Sequence, residues 1–286
     1  VKPRIGITTG DPAGVGPEVI QAALASGALP PHFDYEVIGR LQGDPGQPTL
    51  ETARHSLEAL ELAVARAKSG ELQAVVTGPV SKNQLHRAGF SFPGQTEFFA
   101  ERTGTSDFAM CLTGGSLTVA LATAHIPLAD VPVSLETGEI VRVGNLLARF
   151  CRQRKIVRPR IAVAGLNPHA GENGDLGREE IEIIQPAIPL LREKWVGRAT
   201  FSDSLSPDTV FHRAVAGEFD AVLCMYHDQG LIPLKLHAFD TGVNVTLGLP
   251  FPRTSPDHGT AFDIAGRGMA RPDSMIAAIR LACELT

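Results

Sequence analysis

The stretch Arg160–Glu172, RIAVAGLNPHAGE, shows the pattern on which the whole chain is built. A β-rich apolar run ends in glycine, a polar loop carrying His169 follows, and Glu179 and Glu180 then open a helix. The same order recurs on either side of it. Arg4–Thr8 (RIGIT) leads into GDPAGVGPE and a helix through Val19–Leu24, and Ala74–Thr77 (AVVT) leads into GPVSK. Thr118–Thr123 (TVALAT) leads into AHIP, and Asp220–Met225 (DAVLCM) into YHDQG. Tyr35–Ile38 reads as a further strand, and Glu51–Lys68 places Leu57, Leu60, Ala63 and Val64 at helical spacing. Strands that alternate with helices predict an α/β fold, with a mostly parallel sheet covered on both faces. Gly39–Pro48, polar and broken by Gly and Pro, reads as a surface loop.

The 286 residues suffice for one large domain or two moderate ones. With 26 Lys and Arg against 31 Asp and Glu, the net charge is −5, which argues against a general nucleic-acid or membrane-surface binder. Cys111, Cys151, Cys224 and Cys283 are widely spaced and form no C-x-x-C pair, so buried reduced thiols are expected. No apolar run reaches the roughly 18 residues of a membrane span. The opening VKPRIGITTG reads as a strand followed by glycine, without a signal-peptide layout. These features point to a soluble cytoplasmic enzyme.

Three of the nine histidines stand apart. His125, His169 and His227 each lie just past the carboxyl end of a predicted buried strand, where open α/β sheets bind their ligands. Singly, each reads as a hydrogen-bonded structural residue. Jointly they suit a catalytic metal site of three neutral imidazoles with open positions. Asp228 and Gln229 follow His227 directly, where a polar side chain could orient a ligand or move a proton.

GDPAGVGPE, Gly10–Glu18, puts glycines before a helix that begins at Pro17, a place that attracts anions. Neither the Rossmann nor the P-loop fingerprint is satisfied, since Val19 stands where the third Rossmann glycine would be. Lys235, Asn244 and Arg253 are a Lys, an amide and an Arg suited to a small dianion, with Lys82, Gln95 and Thr96 as further polar candidates. The run Asp257–Pro272, DHGTAFDIAGRGMARP, resembles the adenosine-binding loop of isocitrate and isopropylmalate dehydrogenases, which bind NAD(P) without the Rossmann fingerprint. His258, Gly259, Thr260, Ala261 and Asp263 carry that likeness.

Taken together, GDPAGVGPE, VVTGPVSK, GQTEFFAER, VALATAHIPL, GLNPHAGENGDLGREE, MYHDQGLIPLK and GVNVTLGLPFPRTSPDHGTAFDIAGRG resemble the 4-hydroxythreonine-4-phosphate dehydrogenase family of vitamin B6 synthesis. The resemblance implies a two-domain isocitrate dehydrogenase-like fold. One domain would span residues 1–90 completed by 249–286, which carry the dinucleotide loop. The other would span 91–248, with the metal ligands and a dimer interface. It also implies a homodimer with its active site at the interface, and a divalent metal (Zn, Mg or Co) on His125, His169 and His227 shared between subunits. Substrate contacts would come from Gln95, Thr96, Lys235, Asn244 and Arg253. Asp228 would assist proton removal, with Lys235 beside it in the catalytic set. The implied reaction is NAD(P)-linked oxidation of 4-phosphooxy-L-threonine at the C3 hydroxyl, then loss of carbon dioxide to give 3-amino-2-oxopropyl phosphate.

Two departures stand out. Gln95 occupies the place where the family usually has His, and the loop Gly39–Pro48 replaces a longer segment. The first keeps open a sibling dehydrogenase of D-threonate or D-erythronate 4-phosphate. A phosphate acyltransferase of similar architecture is a rival from another class, and it would need neither the three histidines nor the dinucleotide loop.

Overall fold

The computed structural model describes residues 2–286 and contains ten strands among them. They are β1 (Arg4–Thr8), β2 (Asp34–Ile38), β3 (Ala74–Thr77), β4 (Ala109–Gly114), β5 (Leu117–Leu121), β6 (Arg160–Ala164), β7 (Thr200–Leu205), β8 (Ala221–Cys224), β9 (Val243–Leu247) and β10 (Arg253–Pro256). Contacts divide the chain into two units, one of residues up to Ser106 with Asp240–Thr286, the other Asp107–Phe239.

In the first unit the strand order is β2-β1-β3-β10-β9. All pairings there are parallel except β10 with β9. Strands β3 and β10 are buried at every residue, so the sheet is covered on both faces; β3, AVVT, reads accordingly as an apolar run without alternation. The helix Leu50–Lys68 lays Leu60, Ala63, Val64 and Ala67 into a core with Ile38, Val75, Phe98, Phe99 and Phe251. A reciprocal cap starts it: Thr49 and Thr52 each accept, at 3.1 Å, the other's backbone N–H. The short loop after β2 packs onto the loop after β1, with Gly46 N donating to Ala13 O at 2.8 Å, and the loop after β1 in turn onto the loop after β10, with Val15 N donating to Thr260 O at 2.9 Å.

In the second unit the order is β4-β5-β8-β6-β7, parallel except for the hairpin β4–β5. That hairpin turns through Gly115 and Ser116, with Gly115 at φ +55°. The core joins Leu112, Val119, Leu121, Ala162, Val222 and Leu234.

The mostly parallel α/β fold expected from the sequence is the one observed. Strands β4, β7, β9 and β10 were not in the sequence reading. β7 alternates polar residues along a sheet edge, and β10 has only four residues, RTSP, so neither shows an apolar run. All four cysteines are free and buried. Burial raises the Cys111 and Cys224 thiols well above their ordinary value and pushes Cys151 up to about 12. Among the described residues no helix is long and apolar enough to cross a membrane.

Candidate active site

The three histidine-bearing strands are neighbours in the order β5-β8-β6. Register then decides what meets. Leu121 lies opposite Cys224, and the ladder continues past both strands: Ala122 N donates to Cys224 O at 2.8 Å and Thr123 N to Met225 O at 3.1 Å. His125 and His227, a few residues further on, therefore face each other with ring centroids 5.4 Å apart. They share a cavity of about 350 Å³ with Thr123, Ile126, Leu128, Tyr226 and Asp228. His169 does not complete a cluster with them within the chain: among the described residues no three His, Cys, Asp or Glu side chains are grouped to hold a metal ion.

The imidazoles nevertheless carry the hydrogen bonds that orient metal ligands. Nδ1 of His227 donates to Oδ1 of Asp228 at 2.8 Å, and Nδ1 of His169 donates to Oε1 of Glu172 at 2.5 Å. An ionised carboxylate only accepts, so in each ring the proton sits on Nδ1 and Nε2 keeps its lone pair, the form of an imidazole that could bind a metal. Glu172 also raises the proton affinity of His169 above its ordinary value.

The backbone here is strained. His125 has φ +35°, and His169, Ala170, Gly171, Glu172 and Asn173 are five successive left-handed residues with φ between 42° and 78°. Four of them carry a Cβ, at about 1–2 kcal/mol each. The residues before this turn are tied down by Glu180, whose oxygens accept from Leu166 N and Asn167 N, both at 2.7 Å, and from Asn167 Nδ2 at 2.9 Å. Gln229 is buried and bridges two strand ends, accepting from Met225 N at 2.7 Å and donating to Gly165 O at 2.6 Å. Sequence reading placed Gln229 beside the site but passed over Glu180, because a glutamate opening a helix looks like an ordinary complement to the helix dipole.

The first unit holds a different constellation. Arg253 begins β10 and is only 3% exposed. Its Nη2 donates to Thr77 Oγ1 at 2.6 Å and to Gln95 Oε1 at 3.0 Å, and Nη1 donates to Thr246 Oγ1 at 3.2 Å. Those partners are neutral, Nε is buried without one, and the guanidinium lies 5.5 Å from the Phe99 ring centroid. Burial pushes its pKa down to about 10, with Glu97 opposing the shift, so the group is still a cation at neutral pH. Thr96, at the start of the helix Gln95–Thr103, lies 3.3 Å from Thr246, Oγ1 to Oγ1. Asn244, on β9, has its Oδ1 buried and unpartnered. A buried cation with neutral partners beside a helix N-terminus makes a seat for an anion, whereas the orphaned oxygen of Asn244 is an acceptor and calls for a donor. Lys235 stands in the other unit, on the helix His227–Ala238.

In the loop after β10, Thr260 is buried and anchored through its backbone carbonyl, and Ala261 takes φ +42°. Nε2 of His258 is buried without a partner, and space opens beside Gly259. An orphaned nitrogen next to open space fits a loop that receives the polar edge of a nucleotide.

The mostly parallel α/β fold is one shared with solved dehydrogenases, and comparison with known proteins says to which family the chain belongs. The family model described as pyridoxal phosphate biosynthetic protein PdxA matches residues 19–282, and the chain belongs to that family, whose members are oxidoreductases. The 4-hydroxythreonine-4-phosphate dehydrogenase of Desulforapulum autotrophicum is 42% identical over 98% of this chain and 95% of its own length. That of Caulobacter vibrioides is 49% identical over 84% of this chain and 73% of its own. A crystal structure of the Klebsiella pneumoniae 4-hydroxythreonine-4-phosphate dehydrogenase superposes with TM-score 0.83 at 38% identity, over 99% of both chains. A terephthalate 1,2-cis-dihydrodiol dehydrogenase from Burkholderia xenovorans gives 0.71 at 27%, over 99% of this chain and 98% of its own. A β-decarboxylating dehydrogenase from Thermococcus kodakarensis and a branched-chain phosphotransacylase from Enterococcus faecalis, at 17% and 12% identity, share the fold alone.

Proposed function

We propose that this chain oxidises 4-phosphooxy-L-threonine at its C3 hydroxyl with NAD(P), and that the 3-oxo acid loses carbon dioxide to give 3-amino-2-oxopropyl phosphate for pyridoxal phosphate synthesis in the cytoplasm. The observation that carries this reading is the His125–His227 pair at the ends of adjacent parallel strands, in a chain of this family. A divalent ion of the Zn, Mg or Co type, when bound, supplies a Lewis acid that lowers the pKa of the substrate hydroxyl. His125, His169 and His227 would hold it, the ligands being shared between the two subunits of a homodimer. Ile232, Leu236 and Phe239 support that assembly: they are exposed apolar residues on and just after the helix of His227, and Leu236 is 89% exposed.

Arg253, Gln95, Thr96 and Asn244 take an anionic end of the substrate, and Lys235 another. Asp228 fixes the ring of His227 through one oxygen and takes part in removing the hydroxyl proton. His258, Gly259, Thr260, Ala261 and Asp263 receive the adenosine end of NAD(P), which sets the reacting carbon against the nicotinamide.

Gln95 favours keeping a second reading in view, because its amide carries no charge toward the substrate. The test is NADH or NADPH formation with 4-phosphooxy-L-threonine and with D-threonate 4-phosphate, with and without added divalent metal. Metal-dependent turnover that prefers the amino acid is the expected result. Preference for the threonate moves the chain to the sibling activity, and turnover indifferent to chelation overturns the Lewis-acid role.

A further inference from the structure

Glu180 is 1% exposed and lies fourteen residues beyond Leu166, which follows the end of β6. Its bonds go where a buried carboxylate needs them. Two successive backbone N–H groups, of Leu166 and Asn167, converge on Oε1, and the Asn167 amide reaches Oε2. The Asn167 amide also donates to Glu179 at 2.7 Å, which helps hold the Glu179 carboxyl below its usual range after that group's own backbone hydrogen bond. Gly171, in the middle of the left-handed turn, lies directly on this carboxylate: a Cβ there would stand 2.7 Å from Glu180 Oε2. Glu180 also begins a π-helical turn, Glu180–Ile184, a local irregularity frequent at functional sites. Five left-handed residues persist only where the surroundings over-determine them. Backbone bonds of the turn itself, from Ala170 N to Asn167 O and from Leu176 N to Gly171 O, both at 3.1 Å, contribute, and Glu180 is the buried side chain that holds its entry and meets its middle.

We infer that Glu180 is a positioning residue: its buried carboxylate clamps Leu166–Asn167 and the left-handed turn, and so sets the direction in which His169 is presented. The metal-binding consequence rests on the reading of His169 given above, whereas the clamp itself does not. Gln at this position cannot accept all three N–H bonds, since its amide nitrogen would meet one of the donors.

The experiment compares wild type, Glu180→Gln, Gly171→Ala and His169→Ala as full-length proteins. Three things are read on each: Co²⁺ affinity by calorimetry, inorganic phosphate affinity, and amide hydrogen exchange over residues 166–177. Glu180→Gln should keep its far-UV circular dichroism and its phosphate affinity. It should lose about 10-fold in Co²⁺ affinity, the low end of the effect of removing a group bonded directly to a ligand, because Glu180 acts one contact further out, with faster exchange in the turn. Gly171→Ala displaces the carboxylate without removing it and should move Co²⁺ affinity and exchange the same way, so the inference stays testable if Glu180→Gln does not fold. If His169→Ala weakens Co²⁺ binding but neither clamp variant does, Glu180 has no positioning role. If His169→Ala binds Co²⁺ like wild type, the ligand reading of His169 fails; exchange then decides for the clamp alone, and unchanged protection of the turn in both clamp variants overturns it.

Discussion

Arg253 stands on a strand in ordinary backbone with its charge almost wholly out of water, whereas His125 and His169 stand in left-handed backbone at φ +35° and +53°. His169 is open to solvent, with 60% of its side chain exposed. Each constellation holds its functional groups in an unfavourable state, but by a different route. Around Arg253 the cost is desolvation, eased by neutral hydroxyls, an amide and an aromatic ring. At the strand ends it is backbone strain, held around His169 by the carboxylates of Glu172 and Glu180. The first kind of cost is relieved when an anion arrives. The second is not relieved by binding and must be carried permanently by the fold.

Changes that break one side of this contrast should leave the other intact. His227→Ala should lower kcat by about 10³-fold or more, the scale of losing several kcal/mol of Lewis-acid stabilisation, with phosphate affinity at Arg253 unchanged. A calorimetric loss of phosphate binding in that variant would show the two constellations to be coupled. Arg253→Met removes charge-assisted bonds of about 1.5–3 kcal/mol, so kcat/KM should fall roughly 10- to 100-fold. Its Tm should hold or rise, because a buried cation with neutral partners is a burden on the fold; a marked drop in Tm would mean that Arg253 serves the core instead.

The charge on Arg253 can also be removed by titration. With its pKa lowered to about 10, the guanidinium is protonated below that pH and neutral above it. Anion affinity should therefore be present through neutral pH and decline as pH rises through about 10, which phosphate titrations from pH 8 to 11 would follow. The smallest effect is expected from Ala170→Gly, which removes a Cβ at φ +52° and keeps every imidazole. It should stabilise the fold by at most about 1 kcal/mol in thermal melts, with turnover retained. Lower stability would mean that the strain at this position is not what the backbone angles imply.

What the sequence made legible follows the same division. His125 and His227 were visible because buried apolar runs end just before them, and the parallel register then brings them together without help from distant residues. The left-handed turn was legible only in part: Gly171, Gly174 and Gly177 allow φ > 0 and His and Asn visit that region, but Ala170 and Glu172 have no local preference for it. Arg253 was legible as a group suited to a small dianion, but its near-complete burial depends on Phe99, Thr77 and Thr246 arriving from separate elements. Glu180 is the plainest omission: its role depends on a loop that begins fourteen residues earlier folding back onto it.

The four buried thiols give the molecule a built-in reporter. A thiol reacts as its thiolate, and burial holds all four cysteines in the protonated, inaccessible form. In the native state an alkylating reagent must wait for the structure to open, so the labelling rate measures how often it does. Cys111, Cys151 and Cys224 lie in one unit and Cys283 in the other, so mass spectrometry of the labelled peptides would time the two separately, without an added probe.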